Sequence, residues 1–305
     1  MKKDKKKIGI FTLSCCEGCE CVVLEHLRDF LAAMADVDVV EMRLLEEDPC
    51  EFISSGEKCL IDPGHWDIAF VEGSAITRAN LELLKKIREH SKILVTLGNC
   101  AQFGGVHKMK NYRGKDKLAK ELYKFPKTID NSEIEDMENL VKVDYNIPGC
   151  PITAGEFLRV TYDLLNGRKP KIAERTVCYE CQRRGFPCLL QRGSPPHQFK
   201  NGVFEKDKKE NYAAGIDVNN RHIEKNWCGG EPCMGPITLG GCNAVCLESR
   251  MPCEACRGFY EGANFESLFE KIDKQVGKKR REEILEIFGV RDRLKKITSK
   301  STNKS

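Results

Sequence analysis

Cysteine spacing constrains this chain more than any other feature. Seventeen cysteines stand in 305 residues, and many fall in short-spaced groups such as Cys16-Glu-Gly-Cys19, Cys178-Tyr-Glu-Cys181 and Cys253-Glu-Ala-Cys256. An odd count leaves at least one thiol unpaired in any all-disulfide scheme, and a chain of this length can bury a full core without covalent staples. No apolar run reaches the roughly 18 residues of a membrane span, and no basic-plus-apolar leader appears, so neither a span nor a secretory signal is expected. Cysteine-rich chains in a reducing compartment use their thiols for metal ligation, so the expected location is cytoplasmic.

Lys and Arg number 50 against 46 Asp and Glu, a formal net charge of +4. No basic stripe marks a nucleic-acid partner. Both ends are lysine-rich, as solvated termini are, and Lys295 to Ser305 is expected to be disordered. Of the six histidines none forms a ligand-like pair. His197 and His222 lie in a long charged insertion and read as surface residues.

Apolar periodicity sets out the elements. Ile8 to Leu13 reads as a buried strand and Val22 to Ala33 as the helix after it. Val37 to Met42 and Trp66 to Val71 are further strands, Arg78 to His90 a helix, and Lys92 to Leu97 the next strand. Asn111 to Lys142 is polar and reads as a surface excursion, followed by a short extended piece ending at Pro148 and a helix from Thr153 to Leu165. This βαβα alternation predicts an α/β fold, a doubly wound parallel sheet covered on both faces, over residues 1–169. Residues 170–262 carry cysteines, glycines and prolines without period, and predict a second, loop-rich domain held by metal. Residues 263–305 supply one amphipathic helix, Phe265 to Phe288, and the tail.

Three segments put cysteines directly after strands: Cys16-Glu-Gly-Cys19, Gly98-Asn-Cys100 and Pro148-Gly-Cys150. In a parallel sheet those carboxyl ends share one edge, where open α/β folds bind ligands, so four thiolates can converge there. Cys16 and Cys19 are chosen over Cys15 and Cys21 for the glycine they enclose; Cys15, Cys21, Cys50 and Cys59 read as non-ligands. In the second domain, sequence order groups Cys178, Cys181 and Cys188 with one later thiol, for which Cys228 and Cys233 compete. Cys242, Cys246, Cys253 and Cys256 form the other group. Eight thiolates serve two [4Fe-4S] clusters or two zinc sites, and spacing alone leaves both open.

The chain resembles the small subunit of [NiFe] hydrogenases, most closely the cytoplasmic branch with the sulfhydrogenase delta subunit and the F420-linked and heterodisulfide-reductase-linked archaeal hydrogenases. The resemblance rests on Ser14-Cys-Cys-Glu-Gly-Cys19, Glu72-Gly-Ser-Ala-Ile-Thr77, Leu97-Gly-Asn-Cys-Ala101, Pro148-Gly-Cys-Pro151, Cys233-Met-Gly-Pro-Ile-Thr238 with Gly241-Cys242, and Pro252-Cys253 with Cys256. It implies a flavodoxin-like domain with a proximal [4Fe-4S] cluster on Cys16, Cys19, Cys100 and Cys150. It further implies a distal cluster on Cys178, Cys181, Cys188 and Cys233, and a medial one on Cys242, Cys246, Cys253 and Cys256. The implied partners are a [NiFe] large subunit, where hydrogen is split, and iron-sulfur or flavin acceptor subunits. No catalytic residue is expected in this chain. The insertion from Leu189 to Trp227 departs from the family pattern and keeps Cys228 in play as the fourth distal ligand.

Two rival readings stand beside this one. A single-cluster subunit of a quinone oxidoreductase would share the first domain alone, and a zinc-stabilised binding module would have no redox role.

Overall fold

The computed structural model describes residues 5–33, 37–42, 65–191, 231–249 and 251–294. Cys50, Cys59, His197, Cys228, His222 and the tail from Lys295 lie outside them, as does most of the insertion. By its internal contacts the chain divides into two units, one of residues 1–172 with 286–302 and one of residues 173–285 with 303–305.

The first unit is a five-stranded sheet of β1 (Lys6–Thr12), β2 (Val37–Met42), β3 (Trp66–Glu72), β4 (Ser91–Leu97) and β5 (Tyr145–Ile147). All paired strands run parallel, in the order β2-β1-β3-β4-β5. That is the flavodoxin-like order, whose switch point lies between β1 and β3. Successive side chains of a strand face opposite ways, and here each face has its own core. Ile8, Ile10, Ile68 and Phe70 pack with Val23, Phe30, Phe157 and Val160. Phe11, Ala69 and Val71 pack with Leu84, Ile87 and Met137 on the other face.

Register places the strand ends level. Thr12 pairs with Glu72, Glu72 with Leu97, and Leu97 with Ile147. The turns carrying Cys16, Cys19, Cys100 and Cys150 therefore leave the sheet at one edge.

Helices differ from the sequence reading in three places. The first is two helices, α1 (Gly18–Glu25) and α2 (Leu27–Ala33), parted where His26 leaves helical geometry at φ −111°. It begins earlier than periodicity shows because the Glu72 carboxylate accepts from the Cys19 and Glu20 N–H groups, at 3.0 and 2.9 Å. A long-range cap of this kind satisfies N–H groups that a helix start otherwise leaves unpaired. By contrast α3 (Arg78–His90) carries its own capping box, the Asn80 N–H donating to the Thr77 hydroxyl at 3.2 Å.

The polar stretch after α4 (Gly98–Phe103) is more than a surface excursion. It holds α5 (Met109–Arg113), α6 (Lys115–Leu122) and α7 (Met137–Leu140), and it buries Ile134, Asp136 and Met137. Lys108 and Asp136 are both buried and pair at 2.6 Å, which lets charged residues sit inside. After β5 comes α8 (Ala154–Leu165), then α9 (Val177–Arg183) and α10 (Val245–Glu248) in the second unit. The predicted C-terminal helix is broken into α11 (Phe265–Val276) and α12 (Lys278–Ile287) by Gly277, whose φ of +83° a side-chain-bearing residue rarely adopts. Residues past Glu286 rejoin the first unit, where the Tyr112 hydroxyl donates to Asp292 at 3.1 Å and Arg293 pairs with Glu138. No helix among the described residues is long and apolar enough to cross a membrane.

Candidate metal centres

Every cysteine among the described residues is a free thiol. At the sheet edge, the Asn99 N–H donates to the Gly149 carbonyl at 2.6 Å, tying the Cys100 turn to the Cys150 turn. Cys19 packs against the same turn: a Cβ on Gly98 would stand 2.5 Å from its sulfur. Burial pushes the Cys100 thiol up to about 12, and the neighbouring Cys150 and Cys16 add to the rise. Burial also raises Cys19, followed by Glu72, with Cys100 contributing. The other three predicted ligands, Cys16, Cys19 and Cys150, thus lie around Cys100. Cys15 is close as well, raised to about 12 by burial and then by Glu72, with Cys100 and Cys16 contributing. Cys21 is exposed.

Two side chains that the sequence reading quoted in a motif but did not name as site residues build this site. Glu72, 2 % exposed, anchors the Cys19 turn as described, and burial raises its carboxyl. The signal was an acidic residue closing the apolar run Ile68 to Val71, at the head of the motif Glu72-Gly-Ser-Ala-Ile-Thr77. Ser74 lies 2.8 Å from the Cys100 carbonyl, 3.0 Å from the Gly104 carbonyl and 3.3 Å from His107 Nδ1. Its single hydroxyl proton can go to one of those carbonyls while the oxygen accepts from the imidazole.

In the second unit a cavity of about 170 Å³ is lined by Cys178, Cys181, Cys188 and Cys233, with Leu189, Leu190 and Leu247 among its apolar walls. Burial pushes Cys181 up to about 12, and Cys178, Cys233 and Cys188 each add to it. Cys233 is raised to about 11 by burial, while N–H donation from Gly235 and Cys253 pulls the other way. Of the remaining thiols, Cys242 is raised by burial with Cys246 contributing, and Cys253 by burial, then by Cys233 of the cavity group, with Cys256 contributing.

Backbone geometry singles out the same places. The non-glycine residues with positive φ among the described ones are Glu17, Asn243, Ala244 and Ala255. Each falls between two predicted ligands: Cys16 and Cys19, Cys242 and Cys246, or Cys253 and Cys256. Left-handed non-glycine backbone costs about 1–3 kcal/mol per residue and gathers at functional sites. It turns N–H groups toward one centre, as in the nests that cradle Fe–S clusters. Ala255 donates to the sulfur of Cys253, as Ile152 does to that of Cys19.

These features fit a multi-atom cluster better than a single ion. Zinc holds its sulfurs at about 2.3 Å and leaves no void between them. Four thiols around a cavity, with N–H donors to sulfur, suit an iron-sulfur cube.

A family profile described as NADH ubiquinone oxidoreductase, 20 Kd subunit, matches residues 16–164. The delta subunit of the NAD-reducing hydrogenase HoxS of Cupriavidus necator is 30 % identical over 183 residues, 55 % of this chain and 82 % of that protein. The chain belongs to the hydrogenase small-subunit family. Other hydrogenase subunits match more of its length. A subunit of the vhu F420-non-reducing hydrogenase of Methanocaldococcus jannaschii is 29 % identical over 83 % of this chain and 81 % of its own. The delta subunit of sulfhydrogenase 2 of Pyrococcus furiosus is 27 % identical over 90 % and 98 %. Among solved structures, the actinobacterial-type NiFe-hydrogenase from Ralstonia eutropha superposes with a TM-score of 0.52 at 15 % identity, over 99 % of this chain and 92 % of that one. This likeness shows the fold.

Proposed function

We propose that this hydrogenase small subunit is an electron relay holding three [4Fe-4S] clusters, on Cys16, Cys19, Cys100 and Cys150, on Cys178, Cys181, Cys188 and Cys233, and on Cys242, Cys246, Cys253 and Cys256. Bound clusters would supply one-electron carriers. The chain's own part is to hold them by thiolates, donate N–H groups to their sulfurs and exclude water. It takes up electrons released from hydrogen in a [NiFe] large subunit and passes them to an iron-sulfur or flavin acceptor subunit, or runs in reverse. A reducing, cytoplasmic setting suits its seventeen cysteines. Domain boundaries near 169 and 262 go with this reading.

The observation that carries the proposal is the four-thiol cavity of the second unit. A single-cluster subunit has no use for it, and a zinc module would close it. The same cavity supports Cys233 as the fourth ligand there. Cys233→Ser and Cys228→Ser variants test this by iron content and by EPR spectra of the reduced protein. Cys233→Ser is expected to disturb one cluster, losing iron from it or altering its signal, and Cys228→Ser to disturb none; the reverse pattern would move the ligand to Cys228.

A further inference from the structure

The loop Gly240-Gly-Cys242-Asn-Ala244 is gripped by three charged side chains. Glu180 accepts from the Gly241 N–H at 2.6 Å and from the Ala244 N–H at 3.2 Å. Its Oε2 also lies 3.9 Å from Cys242 Sγ. A Cβ on Gly240 would meet Glu180 Oε1 at 3.1 Å, so the backbone packs directly on the carboxylate. From the other side Arg257, 1 % exposed and among the largest fully buried side chains, donates from Nε to the Gly240 carbonyl at 2.8 Å. Arg184 donates to the Asn243 carbonyl at 3.0 Å and pairs with Glu248 at 2.8 Å.

The origins of these groups matter. Glu180 lies in α9 between Cys178 and Cys181, and Arg184 caps that helix. Arg257 directly follows Cys256. The helix bearing two ligands of one group therefore shapes the loop bearing a ligand of the other. A carboxylate and a guanidinium, both charged and both close to the Cys242 loop, act on any charge held there with opposite signs. Around a cluster, local charge and burial are the protein's means of setting potential.

We propose that Glu180 is the positioning residue of the Cys242 loop, and that its negative charge lowers the reduction potential of the cluster held there while buried Arg257 raises it. This deepens the relay reading and rests on it. Electron flow between the two groups of the second unit is then tuned by a side chain that stands on the helix of one group and acts on the loop of the other.

The test is an EPR-monitored redox titration of the intact protein, with iron counted in each variant. Glu180→Gln keeps a hydrogen-bond acceptor and removes the charge. It is expected to raise one midpoint by a tenfold change in the oxidised-to-reduced ratio, about 59 mV for one electron, leaving the other midpoints in place. Arg257→Met is expected to lower the same midpoint. Glu180→Asp, which keeps the charge, is expected to stay near the parent value.

Variants that keep their iron but move no midpoint, or move it in the same direction, would overturn the proposal. If Glu180→Gln loses the cluster, Glu180→Asp decides: iron and midpoint retained support the assignment, and iron lost contradicts it. Glu180→Gln carries the decision alone where Arg257→Met does not fold. A parent protein with only about four irons would instead remove the relay reading itself, independently of Glu180.

Discussion

Cys181 and Cys233 are each 5 % exposed, and burial pushes their thiols up to about 12 and about 11. Below those values both hold their protons, yet iron binds the thiolate, so loading the site must release protons. The sign follows directly. Affinity for iron and sulfide should rise as pH increases from neutral toward 9 and fall as it drops toward 6, with protons released on reconstitution. Titrating apo-protein with ferrous iron and sulfide at several pH values checks this; an affinity independent of pH would mean these thiols are not the ligands. N–H donors soften the cost, as Gly235 and Cys253 do at Cys233. A second class of residue acts only through position. Glu72 and Glu180 touch backbone N–H groups of ligand loops, at 3.0 Å from Cys19 and 2.6 Å from Gly241. Glu72 entered the sequence reading only within a family motif and Glu180 only as a spacer between two cysteines, because a carboxylate that caps a distant loop leaves no spacing signature.

The turn from β4 into α4 shows how elements carry the site. Leu97 ends the strand level with Ile147, and Gly98 turns at φ +79° with Cys19 Sγ only 2.5 Å from where its Cβ would be. Gly98→Ala should therefore destabilise the first unit by about 1–3 kcal/mol through backbone strain alone, and displace Cys19 or Cys100 as well. Urea unfolding and the iron content of the purified variant measure the two effects; wild-type values in both would contradict the packing. The parallel sheet and its cysteine-bearing edge were readable from the sequence because three buried strands are each followed directly by cysteines; the strand order and register came only with the structure. The breaks at His26 and within Phe265 to Phe288 were not read, although Gly277 was there to be seen. Burial of the segment around Asp136 escaped because a paired Lys108 and Asp136 look polar in sequence and are neutral together in the fold.

At the scale of the whole molecule, a doubly wound sheet supplies one edge for one group of thiols. The second unit carries eight more on two short helices, α9 and α10, and the loops beside them. Left-handed residues at Glu17, Asn243, Ala244 and Ala255 mark both units in the same way, so strain is spent where ligands must converge. The choice between Cys228 and Cys233 was beyond spacing alone, since the insertion separates Cys233 from Cys188. In the structure Cys233 lines one cavity with Cys178, Cys181 and Cys188, while Cys228 lies outside the described residues. The central claim is a three-cluster relay. Its most direct test is iron, zinc and acid-labile sulfide per chain on anaerobically purified protein, with Mössbauer spectra to type the clusters. About twelve irons with matching sulfide, all in cubes, is the predicted result; about four irons, or zinc in the second unit, would contradict it.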